Sequence, residues 1–272
     1  MTISALLIIV IFGLASFLFI SKKTNLNGFY LGSMDNNKEP DLLTITFSLV
    51  TTWIFSRSLL TAATLAYYYG LPGALAYTTY YCSFLTGCYF ILSVRKKYKV
   101  SSILEFFNRE YGLLGKLTYS TIVIVRLVSE IFANLIVIGL IFGIEGSIEY
   151  NLSITLLMIL AFSYSYLGGF RNSIKTDFFQ MIVFLLLFLL LISNFFFTSN
   201  SIDVDLMFNK ITNFSNPGYA LIGVALLQIW SYPIHDPVMT DRGFICNNDK
   251  TKKSFVLAFL LSASCIFIFS LL

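Results

Sequence analysis

Charged residues are scarce in this chain, and their scarcity excludes most classes of soluble protein. Lys, Arg, Asp and Glu make up 12% of the 272 residues, whereas a typical globular domain has about 25%. Hydrophobic residues make up 57%, and the aromatic ones include 28 Phe and 16 Tyr. So little polar surface argues against a cytosolic enzyme, a disordered chain or a nucleic-acid-binding module. The composition indicates an integral membrane protein.

Residues that build catalytic and metal centres are equally few. His235 is the single histidine, which leaves no other histidine for a zinc site or a Ser-His-Asp triad elsewhere in the chain. The four cysteines lack the paired spacing of metal ligands, and three lie in apolar runs, as is typical of small buried hydrophobic residues. The sequence therefore predicts neither an enzyme nor a bound cofactor.

Long apolar runs are abundant. A bilayer core is about 30 Å thick and requires roughly 20 apolar residues in a helix. Eight segments approach this length: residues 3–20, 42–69, 72–94, 117–142, 152–167, 178–197, 219–234 and 254–272. The first lacks the basic start and the obvious cleavage site of a secretory signal, so we interpret it as a retained helix. The sequence predicts an all-α polytopic protein with eight transmembrane helices.

The distribution of basic residues orients these spans. With the N-terminus outside, fifteen of the 18 Lys and Arg residues fall in predicted cytoplasmic loops. The external loops contain only Lys210, and Arg57 and Arg126 lie inside spans. By the positive-inside rule, this asymmetry predicts a multi-pass protein of the cell (inner) membrane with its N-terminus outside.

The second span, residues 42–69, is unusually polar. It contains nine Ser and Thr side chains, with Arg57 near its middle. An arginine at this depth costs at least about 2.5–3.5 kcal/mol on insertion scales, so it needs a partner or a watery cavity. The hydroxyls either hold neighbouring helices together or line a pathway for a substrate or an ion, and the arginine favours the pathway.

The fourth span carries Arg126 and Glu130, four residues apart and therefore on one helix face. They are predicted to form an intramembrane charge pair within the helix. The alternative is that Glu130 reaches Arg57 across the bundle and leaves Arg126 for another acceptor.

The seventh span is interrupted by a polar cluster that includes Trp230, Pro233, His235, Asp236 and Pro237. Two prolines four residues apart leave backbone carbonyls unpaired, which membranes tolerate only where protein or water covers the break. Breaks of this kind point to transporter binding sites. His235 and Asp236 could equally form a polar cytoplasmic end of the helix.

Four motifs resemble those of the sodium/solute symporter family, in the family's order and on the expected side of the membrane. Residues 51–56 (TTWIFS) and 67–73 (YYYGLPG) are similar to its first core helix, and residues 103–112 (ILEFFNREYG) to its "LPEFLERRYG" link. Residues 166–171 (YLGGFR) and 176–180 (TDFFQ) resemble its "LGGLRA…TDFLQ" signature. The pairs Asp236-Pro237 and Asp241-Arg242, ahead of residues 252–255 (KKSF), match the loop after its sixth core helix.

The resemblance implies a LeuT-type fold of two inverted five-helix repeats, with core helices one and six broken at the midplane. Residues 1–20 correspond to an extra N-terminal helix, residues 42–197 to the first repeat, and residues 217–272 to part of the second. Core helices eight to ten have no counterpart, so the second repeat is incomplete and the sodium site lacks its second helix. The chain therefore resembles an N-terminal portion of a symporter, whose partner would be a missing C-terminal portion.

The resemblance also implies roles for particular residues. Thr51 and Ile54 match positions whose backbone carbonyls bind sodium, the coupling ion. Trp53 stands where proline-transporting relatives have an acidic residue. The candidate substrate-binding residues are Ser56, Arg57, Ser58 and Trp230, and the arginine favours an anionic solute such as a carboxylate.

These features predict a sodium-coupled symporter that takes up a small organic solute by alternating access, with solute, sodium and the bilayer as its partners. A membrane sensor or regulatory domain derived from a symporter is one alternative, although no kinase signature is present. A non-functional truncated remnant is the other.

Overall fold

The computed structural model describes residues 2–21, 24–198 and 215–272, and within them it is helical, with no strand. The helices are α1 (Thr2–Ser16), α2 (Leu26–Leu31), α3 (Leu42–Thr51), α4 (Ser56–Tyr69), α5 (Leu71–Thr79), α6 (Ser83–Tyr98), α7 (Ile103–Phe142), α8 (Ile148–Thr198), α9 (Pro217–His235), α10 (Pro237–Ile245) and α11 (Asn248–Leu271). A short 3₁₀ turn, Tyr80–Cys82, joins α5 to α6 with helical backbone angles, so these helices form one continuous rod.

Three helices in the described part of the chain, α7, α8 and α11, are long and apolar enough to cross a membrane. A fourth span results if the bent pair α3 and α4 counts as one. The chain therefore has the architecture of a helical membrane protein. Helix occupies each of the eight segments predicted from the sequence, and the number that cross the bilayer stays a prediction.

The second predicted span is broken in its middle. Residues 52–55 interrupt the helix, and the axes of α3 and α4 diverge by 62°. Phe55, just before α4, has an extended backbone (φ −93°, ψ 166°). Carbonyls at the end of α3 and amides at the start of α4 are thereby released from the helical ladder.

The seventh predicted span is also broken, but not at both of its prolines. The helix α9 continues through Pro233 to His235 and ends at Asp236, where the backbone is extended (φ −92°, ψ 105°). Pro237 then occupies the first turn of α10. The residue before a proline is disfavoured in the α conformation, and the extended Asp236 ahead of Pro237 follows this rule, whereas the helix continues through Pro233.

Two regions predicted as loops are largely helical. The loop predicted at residues 95–116 contains the start of α7, because Ser102 caps it and accepts a hydrogen bond from the Glu105 amide (3.0 Å). Gly112, at φ +66°, separates this first part of α7 from its apolar part. The loop predicted between the fifth and sixth spans is helix within α8, interrupted only at Gly169 (φ +57°).

Both broken helices belong to the buried core. The main cluster of buried hydrophobic residues joins α3, α4, α6, α8, α10 and α11: Leu49, Val50, Ala62, Tyr81, Phe84, Cys88, Ile91, Met181, Met239, Phe255, Ala258 and Ile266. By contrast, only 6% of the most apolar stretch of α7, and 11% of the most apolar stretch of α8, is buried inside the protein. The broken helix α3–α4 and the helix α10 therefore contribute to the core, whereas α9 buries Ala225 and Ile229 but leaves Leu227 and Trp230 exposed. Helices α7 and α8 present large apolar faces to their surroundings.

Candidate functional site

A cavity of about 330 Å³ lies where the two broken helices meet. Its walls come from α4, α5, α7, α9 and α10 and from the break between α3 and α4: Thr52, Trp53, Phe55, Arg57, Ser58, Thr61, Leu65, Ala76, Tyr77, Tyr80, Tyr81, Arg126, Leu127, Glu130, Leu221, Tyr232, Asp236 and Val238. Six of these residues are aromatic and four are charged. The cavity thus combines flat apolar walls with charged groups, as small-molecule sites commonly do.

A hydrogen bond joins the two breaks directly. The indole Nε1 of Trp53 donates to Oδ2 of Asp236 at 2.7 Å. The other carboxylate oxygen of Asp236 accepts from the amide of Val238 (3.0 Å) and so caps α10. Asp236 is only 2% exposed, although it lines the cavity. The buried carboxylate of Asp236 therefore links the break between α3 and α4 to the break between α9 and α10.

Arg126 occupies the side of the cavity next to the break in α9 and α10. Its guanidinium lies 3.8 Å from Asp236, 3.9 Å from Glu130 and 3.9 Å above the ring centre of Tyr232. A nitrogen of the guanidinium is 2.6 Å from Nδ1 of His235. A cation held by two carboxylates and an aromatic face is neutralised where it stands.

Of the two arrangements foreseen for Arg126 and Glu130, the structure has the pair within the helix. The intrahelical pair exists, at a distance longer than a hydrogen bond, and Arg126 has a second acceptor in Asp236. No ion pair joins Glu130 to Arg57 among the described residues, so the cross-bundle pair is absent there.

Arg57 differs from Arg126 in having no such partner. It is exposed, it lines the cavity, and within residues 2–21, 24–198 and 215–272 it makes no hydrogen bond or ion pair. Ser58, the next residue, is buried, and its hydroxyl donates to the Trp53 carbonyl at 3.1 Å. Arg57 is thus the cation of the cavity whose donors remain free for another molecule.

The other candidates lie away from the cavity walls. Thr51 donates its hydroxyl to the carbonyl of Asp177 (3.1 Å), and Ile54 lies within the break, where its amide donates to Val50 (2.9 Å). Ser56 begins α4 without lining the cavity.

Trp230, the remaining candidate substrate-binding residue, is not part of the cavity wall. Its side chain is 64% exposed and does not contribute to the walls, whereas Tyr232 does. Two residues apart on a helix point to nearly opposite sides, so only one of them can face the cavity. A sequence argument based on the polar cluster alone could not choose between them.

A second cluster of polar side chains, which was not predicted from the sequence, lies between α3, α8 and α10. The buried guanidinium of Arg242 donates to the carboxylate of Asp177 (2.9 Å) and to the hydroxyl of Ser48 (2.7 Å). Ser48 in turn donates to the same oxygen of Asp177 at 2.5 Å. This Ser48–Asp177–Arg242 cluster ties α3, α8 and α10 together. Both charged residues occur in the symporter-like motifs, but their separation along the chain gave no signal that they pair.

The described residues contain no group of three or more His, Cys, Asp or Glu placed to hold a metal ion. The sodium site implied by the motifs relies on backbone carbonyls, to which this observation does not apply. Between the two implied carbonyl positions, Thr51 and Ile54, the carbonyl of Trp53 accepts hydrogen bonds from Ser58 (3.1 Å) and Tyr81 (3.2 Å).

Comparison with known proteins yields no relative: the chain matches no family model, no curated protein and no solved structure. The symporter resemblance therefore rests on the four sequence motifs.

Proposed function

We propose that this chain is a sodium-coupled symporter subunit or portion that carries a small organic anion across a cell membrane by alternating access. The observation that supports this most strongly is the cavity between two interrupted helices, with the unpaired Arg57 on its wall. Backbone breaks inside an apolar bundle are retained where they line a cavity, and discontinuous helices recur at transporter binding sites.

The charges of the cavity favour an anion. The positive charge of Arg126 is already compensated by the carboxylates of Glu130 and Asp236, so it attracts an anionic solute less than an uncompensated cation does. Arg57 is not compensated, and a guanidinium with free donors matches a carboxylate in both charge and shape. The solute would therefore place its anionic group at Arg57 and its remainder against the aromatic walls.

Sodium coupling rests on the resemblance of residues 51–56 to the first core helix of the symporters. The backbone carbonyls of Thr51 and Ile54 are the proposed sodium ligands. Thr51 is the last residue of α3, and Ile54 lies in the break between α3 and α4. With the N-terminus outside, the Ser48–Asp177–Arg242 cluster lies toward the cytoplasmic side of the cavity. We infer that it closes the cytoplasmic exit and must open in the transport cycle.

The test is uptake by purified protein in proteoliposomes. A panel of radiolabelled small carboxylates is supplied with an inward sodium gradient, and choline replaces sodium in the control. We expect accumulation of at least one carboxylate that depends on sodium. Arg57→Ala is expected to reduce it about 10- to 150-fold, because a hydrogen bond to a charged group contributes about 1.5–3 kcal/mol.

The control is Lys96→Ala, which removes an exposed cation in the last turn of α6 and outside the cavity and is expected to leave uptake unchanged. Sodium-independent uptake would contradict the coupling, and unchanged uptake in Arg57→Ala would contradict the anion site. Folded protein that transports nothing would instead support the remnant.

A further inference from the structure

The segment between α1 and α3 folds onto the break in α8, with Phe29 against the break and Leu26, Tyr30 and Leu31 turned outward. Its helix α2 is capped at one end by Asn25, whose side chain accepts from the Gly28 amide (2.8 Å). It ends at Gly32, which has a left-handed backbone (φ +68°). Both ends of this six-residue helix are therefore defined by capping residues.

The inner side of the segment is held by one buried arginine. Arg171, only 3% exposed, donates to the side chains of Asn25 (2.8 Å) and Asp35 (3.1 Å). It also donates to the carbonyls of Ser33 (2.5 Å) and Met34 (3.1 Å). A guanidinium that satisfies four acceptors in one segment fixes which side of that segment faces the protein.

Close packing confirms which side of α2 faces inward. A Cβ atom on Gly28 would collide with the guanidinium of Arg171. At the break in α8, a Cβ on Gly169 would lie 2.5 Å from the carbonyl oxygen of Phe29. The inner side of α2 therefore presents Gly28, Gly32, the Phe29 backbone and the Phe29 ring to α8, in direct contact with it.

The outer side has the opposite composition. Leu26, Tyr30 and Leu31 are 76%, 70% and 63% exposed. The exposed face of α2 thus carries two leucines and a tyrosine beside a single polar residue, Asn27. This composition is more apolar than that of a helix that faces water alone.

We propose that α2 lies in the interfacial layer of the bilayer, on the side of the basic loops, with Leu26, Tyr30 and Leu31 in contact with lipid. The segment joins two apolar helices, α1 and α3, so its place at the end of both is continuous with the membrane. Among the described residues of this segment, the exposed Lys38 is accompanied by the acidic Asp35 and Glu39, so the lipid contact rests on the apolar side chains and not on a basic patch. Tyrosine is also enriched at this depth.

The test measures the depth of single spin labels in the full chain, reconstituted in vesicles that contain anionic phospholipid. Labels are attached at Leu26→Cys and Leu31→Cys, and at Asn37→Cys as the matched exposed polar control from the same segment. The half-buried Cys82 is replaced by serine to remove background labelling. Collisions with oxygen, which partitions into lipid, are compared with collisions with a water-soluble nickel chelate.

We expect the labels at positions 26 and 31 to collide more with oxygen than with the nickel chelate, and the label at position 37 to show the reverse. Equal access of nickel to all three positions would overturn the proposal. So would protection of positions 26 and 31 from both reagents, since that pattern means that protein covers α2. Neither result depends on transport, so failure here is distinguishable from failure of the proposed function.

Discussion

At the scale of single residues, Asp236 connects most of the site. Its carboxylate accepts from Trp53 across the two breaks, caps α10 through Val238, and lies 3.8 Å from Arg126. A buried carboxylate is costly unless its oxygens are satisfied, and each of these contacts compensates part of that cost. The arrangement explains how an acidic residue persists inside an apolar bundle.

The Trp53–Asp236 hydrogen bond can be tested by a double-mutant cycle. Trp53→Phe removes the donor, and Asp236→Ala removes the acceptor. Because the bond involves a charged, buried acceptor, the two changes are expected to couple by about 1.5–3 kcal/mol in the free energy of unfolding in detergent micelles. Asp249→Asn, on the exposed first turn of α11, is the control and is expected to have a small effect. Strict additivity of the two changes would mean that the bond does not connect the breaks.

At the scale of elements, the two glycine breaks in α7 and α8 share a backbone conformation but differ in surroundings. Gly112 and Gly169 both have positive φ, at +66° and +57°. A Cβ on Gly112 would meet no atom within 4 Å, whereas one on Gly169 would meet Phe29. The break in α7 therefore needs only conformational freedom, while the break in α8 also needs space for α2.

This difference predicts unequal costs for two identical substitutions. Gly112→Ala is expected to reduce the free energy of unfolding by about 1–3 kcal/mol, the cost of a strained backbone. Gly169→Ala is expected to cost more, because the methyl group also displaces α2. Equal losses of stability in detergent would show that α2 does not pack closely at Gly169.

Sequence reasoning succeeded for elements whose signal is local. The length of the apolar runs predicted helix in the eight segments. The two prolines of the seventh segment predicted an interrupted helix, and the structure has the interruption at Asp236, before Pro237, but none at Pro233. Sequence reasoning failed where the cause lies far along the chain. Arg242 pairs with Asp177, and Tyr232 rather than Trp230 faces the cavity, because of how whole helices pack. Helix at the start of α7 was missed because the Ser102 cap was not recognised.

At the scale of the whole molecule, the account depends on which side of the membrane each end of α7 occupies. Glu110 lies before the break at Gly112, among basic residues, and Glu145 lies just beyond the other end of the helix. Both side chains are exposed.

The positive-inside rule predicts that a single cysteine at each position will be labelled from opposite sides. In intact cells, an impermeant thiol reagent is expected to modify Glu145→Cys but not Glu110→Cys, and lysis is expected to expose the latter. Labelling of both positions before lysis would show that α7 does not cross the membrane.

The proposed role of the Ser48–Asp177–Arg242 cluster at the cytoplasmic exit predicts that weakening the cluster exposes the residues behind it. Asp177→Asn removes the charge that holds Arg242 and weakens the cluster that ties α3 to α8 and α10. Thr51, whose hydroxyl bonds to the Asp177 carbonyl, is then expected to become accessible. In inside-out vesicles, Thr51→Cys should react several-fold faster with an impermeant reagent when combined with Asp177→Asn. An unchanged rate would mean that the cluster is not part of the exit.

The central claim is that Arg57 faces an aqueous solute path and not lipid. Its most direct test is the reaction of Arg57→Cys with an impermeant thiol reagent in the reconstituted full chain, with Leu60→Cys as the control, because Leu60 is also exposed on α4 but is not part of the cavity wall. We predict that position 57 reacts readily from water while position 60 does not. If position 57 resisted the reagent as strongly as position 60, its side chain would face hydrocarbon, and the claim of a transport pathway would be contradicted.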